Sequence, residues 1–198
     1  MKLYTYPKSR SFRVVWLLEE MGMHYETVKV DIFDPDSCIK TLHPRGQVPF
    51  LVDGDVSVAE TLAICLYIVE KQAPTLLYPV DAVQRAAVHS CLSYTLTDLE
   101  SPVWNLLKQQ VFVPQDKRNP GLIAYSQQEA NKAVGQVTLP DSSEWIAGPH
   151  FTLADIFMTH TLLWAKACGI AIRPDMADYL DRAMSRPAYL RAQDRNNQ

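Results

Sequence analysis

Apolar and polar positions change their period several times along the chain, and each change marks an element. Residues 2–6 (Lys-Leu-Tyr-Thr-Tyr) are rich in aromatic and β-branched types and read as a short strand, broken by Pro7-Lys8-Ser9-Arg10-Ser11. From Phe12 to Met21 apolar residues return at helical spacing, with Glu19 and Glu20 on the outer face, and Gly22 ends the helix. Residues 25–32 alternate with period two and predict a second strand. This is a strand–helix–strand unit, for which a right-handed crossover is expected. Residues 33–47 are irregular, with a helical turn around Ser37–Leu42. Asp53-Gly54-Asp55 then joins the β-rich runs 48–52 and 56–58, a hairpin signal. A helix follows from Thr61 to Lys71 and stops before Pro74.

The stretch from Ala73 to Asp81, with Pro74 and Pro79, reads as a linker, and beyond it the period is helical throughout. Leu92, Leu96, Leu99, Val103 and Leu106 recur at steps of four and three, which puts them on one helix face. A second helix is expected over 122–139 between Pro120 and Pro140, a third from Thr152, and a last over 175–185, closed by Pro187. Phe151-Thr152-Leu153-Ala154-Asp155-Ile156 carries a capping box, Thr152 with Asp155, and a hydrophobic staple, Phe151 on Ile156. The expected fold is therefore α/β followed by all-α. A βαβ-ββα domain spans 1–75, a linker 76–81 and an all-helical domain 82–198.

Composition narrows the function more than the fold. The 198 residues are 47% hydrophobic and 21% charged, with a formal charge of −3. That supports a packed core and gives no basic field for nucleic acid. The longest apolar run, Leu62–Val69, is eight residues, against about 20 for a membrane span. The opening Met-Lys-Leu-Tyr-Thr-Tyr-Pro does not have the charged-then-apolar pattern of a signal sequence. Cys38, Cys65, Cys91 and Cys168 form no Cys-x-x-Cys pair, and the histidines show no metal-ligand spacing. The expectations are a cytoplasmic protein with reduced thiols, no metal, and neither nucleic acid nor membrane as partner.

Three short stretches carry chemistry. Ser9-Arg10-Ser11 sits between the first strand and its helix, where a hydroxyl either caps backbone N–H groups or donates to an anion held at the helix end. Val48-Pro49 opens a strand with a residue that cannot donate to a ladder; it is either an ordinary edge-strand proline or a cis bond that frees Val48 to pair with an extended ligand. Glu60-Thr61 opens a helix with a carboxylate, a hydroxyl and free N–H groups. It suits an amino acid headgroup, and equally a plain helix start.

The order of these stretches resembles the glutathione S-transferases, in particular the serine-type, bacterial-like cytosolic members. The resemblance spans essentially the whole chain. It includes Arg13 with Trp16-Leu17-Leu18-Glu19-Glu20, His43-Pro44-Arg45-Gly46-Gln47-Val48-Pro49, Glu60-Thr61-Leu62-Ala63-Ile64, the capping box, and Arg186-Pro187-Ala188-Tyr189. Thr61 stands where serine is commoner, and His43 where asparagine is. The resemblance implies a thioredoxin-like N-terminal domain, a helical C-terminal domain, and a two-fold homodimer.

It also implies a site. Glu60 and Thr61 would hold the γ-glutamyl group of glutathione as co-substrate, and the Val48 backbone beside Pro49 would pair with the cysteinyl unit. Gln47, Arg45 or a nearby basic side chain would meet the glycyl carboxylate. Ser9 would face the sulfur, with Ser11 as the other candidate for the catalytic hydroxyl or as the helix cap. Tyr4 and Tyr6 are the hydroxyls a tyrosine-type member would use, and Arg10 stands where cysteine-type members carry their thiol. Lowering a thiol pKa by two units from 8.5 requires about 2.7 kcal/mol, within reach of a hydroxyl donor and a helix N-terminus. Trp104, Leu107 and Phe112, with Trp164 opposite, would hold a small apolar electrophile, or else only pack the core. The implied function is detoxifying transfer of glutathione to that electrophile. The alternatives are a glutathione-dependent isomerase or dehalogenase, and a non-catalytic binding protein on the same scaffold.

Overall fold

The computed structural model describes residues 1–43 and 45–197. The chain forms two compact units, Met1–Thr75 together with the chain from Met184 on, and Leu76–Ala183.

In the first unit β1 (Lys2–Thr5), α1 (Ser11–Glu20) and β2 (Glu26–Lys29) form the expected strand–helix–strand unit. A short helical turn, α2 (Ile39–Leu42), precedes β3 (Phe50–Asp53), β4 (Val56–Ala59) and α3 (Thr61–Lys71). Among the described residues the strands make one sheet in the order β2-β1-β3-β4. β1 pairs parallel with β2 and antiparallel with β3, which pairs antiparallel with β4. The Asp53↔Val56 pair closes a two-residue turn in which Gly54 has φ 62°, the left-handed conformation such hairpins require. β2 is shorter than its alternating pattern predicts, four residues against eight.

α1 is buried from Ser11 through Leu18. Its first eight residues, Arg13 included, are buried, so the helix must be covered on every side. α1 packs against β1, α3 and α9 (Pro187–Asn197). Tyr189 of α9 sets its ring edge on to Phe12 and Trp16, at 5.3 and 4.9 Å between centroids. Ion pairs reinforce the seam. Arg186 grips Glu20 with both Nε and Nη2 (2.6 and 2.7 Å), and Glu20 also accepts the Trp16 indole N–H at 2.9 Å. Arg191 donates to the Glu19 carboxylate and carbonyl, each at 2.9 Å. The expectation that the last helix ends before Pro187 is corrected here: Pro187 opens a further helix. Proline suits a first helical position, where its missing N–H would be unpaired anyway.

The second unit contains α4 (Ala82–Tyr94), one π-helical turn (Thr95–Leu99), α5 (Glu100–Val111), α6 (Pro120–Gln136), α7 (Leu153–Ala167) and α8 (Pro174–Met184). The π turn inserts an extra residue into the helical register. Leu92, Leu99, Val103 and Leu106 are buried as the heptad-like spacing predicts, but Leu96 is only half-buried and Thr95 is buried beside it. α6 starts two residues before the predicted Leu122, with Asn119 capping the Leu122 N–H at 3.1 Å and Pro120 in the first turn, and ends three residues early at Gln136. Both arms of the Thr152–Asp155 capping box are present. Asp155 Oδ2 accepts the Thr152 N–H at 2.8 Å, while Oδ1 accepts the Ile146 N–H at 2.9 Å and the Tyr179 hydroxyl at 3.0 Å. Burial pushes the Asp155 carboxyl up to about 6 despite these donors.

Among the described residues no helix is long and apolar enough to cross a membrane.

Candidate active site

Register, more than any single residue, assembles the site. Tyr4 pairs with Phe50, and Phe50 with Ala59. Because β3 runs against both neighbours, the loop after β1, the residues before β3 and the residues after β4 emerge at one end of the sheet. That end carries Ser9, Val48-Pro49 and Glu60-Thr61 in a row across three adjacent strands. Two strand spacings measure about 10 Å, the length of about three extended residues.

At the first position the two serines are bonded to each other. The hydroxyl oxygens of Ser9 and Ser11 lie 2.8 Å apart. Ser9 Oγ is also 2.7 Å from the Tyr6 carbonyl and accepts the Ser11 N–H at 3.2 Å. A carbonyl only accepts, so the Ser9 proton goes to Tyr6 and the Ser11 proton to Ser9. Ser9 also accepts the Phe12 N–H on its own carbonyl, at 3.2 Å. Ser9 thus takes two free N–H groups at the start of α1, whose N-cap position is Arg10 without a side-chain cap bond; the alternative of Ser11 as the cap is not seen. Ser11 is fully buried and Ser9 half-buried, so of the two residues only Ser9 is reached by solvent. Of the other candidate hydroxyl residues, Tyr4 packs its ring on Phe50 (6.2 Å) and Tyr6 sets its ring edge on to Phe33 (5.9 Å).

At the second position the Val48–Pro49 bond is cis. Among the described residues neither the N–H nor the C=O of Val48 takes a partner. Pro49 is buried, Val48 half-buried and Gln47 exposed. The preceding turn is held by His43, whose Nδ1 accepts the Arg45 N–H at 2.9 Å and whose carbonyl accepts the Gly46 N–H at 2.9 Å. Gly46 has φ 60°, and a Cβ there would stand 2.6 Å from Lys40 Cδ. His43 is buried against Phe50. Burial first, and the Arg45 charge second, hold its pKa below the usual histidine value. A neutral ring with Nδ1 as acceptor carries its proton on Nε2. This is what histidine contributes where asparagine was the expected type. Pro44, quoted above as part of the motif, lies outside the described residues.

At the third position Glu60 has φ 72°, a conformation that costs a non-glycine residue of order 1 kcal/mol or more and marks functional sites. It serves as N-cap residue of α3 without a side-chain cap bond. Its carboxylate is 65% exposed and ion-paired with the Arg45 guanidinium, itself 57% exposed. Arg45 Nε also reaches Gln47 Oε1 at 3.5 Å. Thr61 is buried at the first position of α3. The first-turn amides of α3 and this residue stand at a helix start, where free backbone N–H groups can receive an anion. Sequence reasoning missed the Arg45–Glu60 pair. Fifteen residues separate the partners, and only strand pairing makes them neighbours.

In the second unit Trp104 stacks on Trp164 at 5.8 Å and 23°, and meets Phe112 edge on at 5.8 Å. His160 sits against Trp164 at 4.5 Å. Leu107, one turn beyond Trp104, is half-buried, and Phe112 is exposed. The candidate aromatic residues are thus one cluster with partly open faces. Burial pushes the Cys65 and Cys168 thiols up and that of Cys91 to about 11. Among the described residues no group of His, Cys, Asp and Glu is placed to hold a metal ion.

The family model for the glutathione S-transferase N-terminal domain matches residues 1–70. Glutathione S-transferase F10 of Arabidopsis thaliana is 30% identical over 196 residues, covering 90% of this chain and 89% of its own. The chain belongs to the glutathione S-transferase family. A second Arabidopsis transferase, Z1, is 36% identical over 104 residues, but that match spans only about half of either chain, 50% of this one and 47% of its own. Among solved structures, the ternary complex of the bacterial transferase BphK shares the fold with a TM-score of 0.88 at 22% identity, covering 100% of both chains. A sphingomonad glutathione S-transferase complexed with glutathione has a TM-score of 0.83 at 25% identity, covering 100% of this chain and 99% of its own. The thioredoxin-like and helical parts of this transferase are therefore those of the family.

Proposed function

We propose that this transferase joins the glutathione thiolate to small apolar electrophiles. One observation carries the reading: a hydroxyl, an unpartnered peptide unit and a carboxylate at a helix start stand in a row, about one tripeptide long, across three strands. Glutathione offers the matching series of thiol, peptide backbone and amino acid headgroup. Glu60 takes the α-ammonium, and Thr61 with the first amides of α3 takes the α-carboxylate. Val48 pairs with the cysteinyl backbone, as an added strand would.

Ser9 is the catalytic hydroxyl in this reading, and Ser11 a positioning residue. Ser9 Oγ accepts two hydrogen bonds from Ser11, which makes its own O–H a stronger donor. Turning that O–H from the Tyr6 carbonyl to the sulfur stabilises the thiolate over the thiol, and the thiol proton leaves to solvent. The thiolate then attacks the electrophile. A carbon–sulfur bond forms while the leaving group departs with its electron pair, or the pair moves onto the acceptor in an addition. Trp104, Leu107 and Phe112 take the apolar part of the electrophile, with Trp164.

Titration calorimetry of glutathione in two buffers of different ionisation enthalpy tests this. Binding with proton release near pH 7, followed by turnover of an apolar electrophile, is expected. Binding without turnover of any electrophile would leave a binding protein, and no binding would end the glutathione reading.

A further inference from the structure

The open side of the aromatic cluster in the second unit hangs on how one helix ends. α5 closes at Val111, and the last carbonyls of a helix find no partner within it. The Lys108 carbonyl accepts the N–H groups of both Phe112 and Val113, at 3.0 and 3.1 Å. The Gln110 carbonyl accepts Nη2 of Arg118 at 2.9 Å, and the Val113 carbonyl accepts Nε of the same guanidinium at 3.3 Å. Phe112 lies between the two carbonyls so held. The Gln109 side chain accepts the Asn119 N–H at 2.9 Å, which fastens the far end of the same connection to α5. Arg118 is half-buried, whereas Lys117 beside it is exposed. A cation is favoured at a helix C-terminus, and the rigid guanidinium fork fixes the direction of both bonds, as an ammonium could not. Phe112 itself is 45% exposed and meets Trp104 at 69°. Its ring is held mainly through its backbone.

We propose that Arg118 is a positioning residue for the electrophile, which it never touches: by holding the carbonyls on either side of Phe112 it sets that ring against Trp104 and so fixes one wall of the electrophile site. This role rests on the placement of the electrophile at Trp104, Leu107 and Phe112 given above, and adds the residue that keeps the wall in place. A ring bound beside Phe112 gains an aromatic contact worth about two- to tenfold in affinity beyond its buried area. The gain is realised in full only when Phe112 already stands at its angle. A wall that swings must be ordered again at each binding event, and that cost comes out of the affinity. Arg118 removes it in advance.

Steady-state kinetics with glutathione and two aromatic electrophiles, chlorodinitrobenzene and benzyl bromide, test this on the wild type, Arg118→Ala, Phe112→Ala and the variant carrying both. Arg118→Ala is expected to raise the KM for each electrophile by about two- to tenfold, with the KM for glutathione where it was. Loss of folded protein lowers the apparent kcat and leaves KM alone, so a weaker fold cannot imitate this result. Phe112→Ala should raise the same KM. Adding Arg118→Ala to it should then change KM by less than about twofold, because Arg118 acts only through that ring. Two rises that multiply in the double variant, or a KM for glutathione that rises as much as that for the electrophile, overturn the proposal. Phe112→Ala separates the two levels. If it leaves the KM for both electrophiles untouched, or if the wild type turns over neither, the placement of the electrophile falls and the proposal with it. If it raises KM while Arg118→Ala does not, the electrophile site stands and the positioning role alone fails.

Discussion

The Ser11 hydroxyl lies 2.8 Å from that of Ser9 and is shut away from solvent. The two serines can therefore be separated by experiment. Ser9→Ala removes the donor to the sulfur and should lower kcat/KM at pH 7 by about 10- to 100-fold, the worth of a hydrogen bond to a charge. The pH profile of kcat/KM should also move up, toward the free thiol near 8.5. Ser11→Ala leaves the donor but strips its support and the acceptor of the Tyr6 N–H. A smaller rate loss is expected, with an upward shift of the same profile and about 1–3 kcal/mol less stability. Equal losses in the two variants would refute the division of roles.

Asp155 gives a prediction with a definite sign. Its carboxyl is raised from 3.8 to about 6 by burial. Between those values the folded state holds a proton that the unfolded chain has lost. Its contribution to stability is therefore full below about 4 and declines as pH rises through 6, at most about 1.4 kcal/mol per pH unit. Melting temperatures of wild type and Asp155→Asn from pH 4 to 7 check this: the wild type should lose ground relative to the variant as pH rises. Asp155→Ala, which orphans the Ile146 and Thr152 N–H groups and the Tyr179 hydroxyl, should cost several kcal/mol.

The ion pairs should divide by exposure. The Glu20 side chain is 7% exposed and gripped by both arms of Arg186. Arg186→Ala is expected to cost about 2 kcal/mol in urea unfolding. Lys2→Ala, which breaks an exposed contact to Glu26 at 3.8 Å, should change stability by under about 0.5 kcal/mol.

Thiol labelling offers a quick check on the core. Cys38 is exposed, Cys65 and Cys168 are buried and Cys91 is partly so. One thiol should react rapidly with a disulfide reagent in the native protein, and all four after denaturation.

Much of this was legible in the sequence because it is local. The Phe12–Met21 periodicity, the Asp53-Gly54-Asp55 turn and the Thr152–Asp155 box each specify their element within a few residues. Proline is the weak point: Pro120 reads as a boundary just before its helix and Pro187 as the end of the last one, yet each opens a helix, since the residue excluded from a helix interior suits its first turn. The heptad-like run through Leu96 missed the π turn, because spacing cannot record an extra residue that keeps the neighbouring leucines buried. Candidate site residues could be proposed from their types and order. Their roles could not, since these depend on contacts across the sheet, as for Arg45 with Glu60, and on burial, as for Ser11 against Ser9.

The return of α9 to α1 makes the first unit discontinuous in sequence, with the second inserted between its pieces. During synthesis Phe12 and Trp16 must wait for Tyr189, more than 170 residues later, before their outer faces are covered. Removing the chain from Met184 on would accordingly expose the helix that begins at the serine pair, so loss of the chain's last fifteen residues should be felt at its ninth.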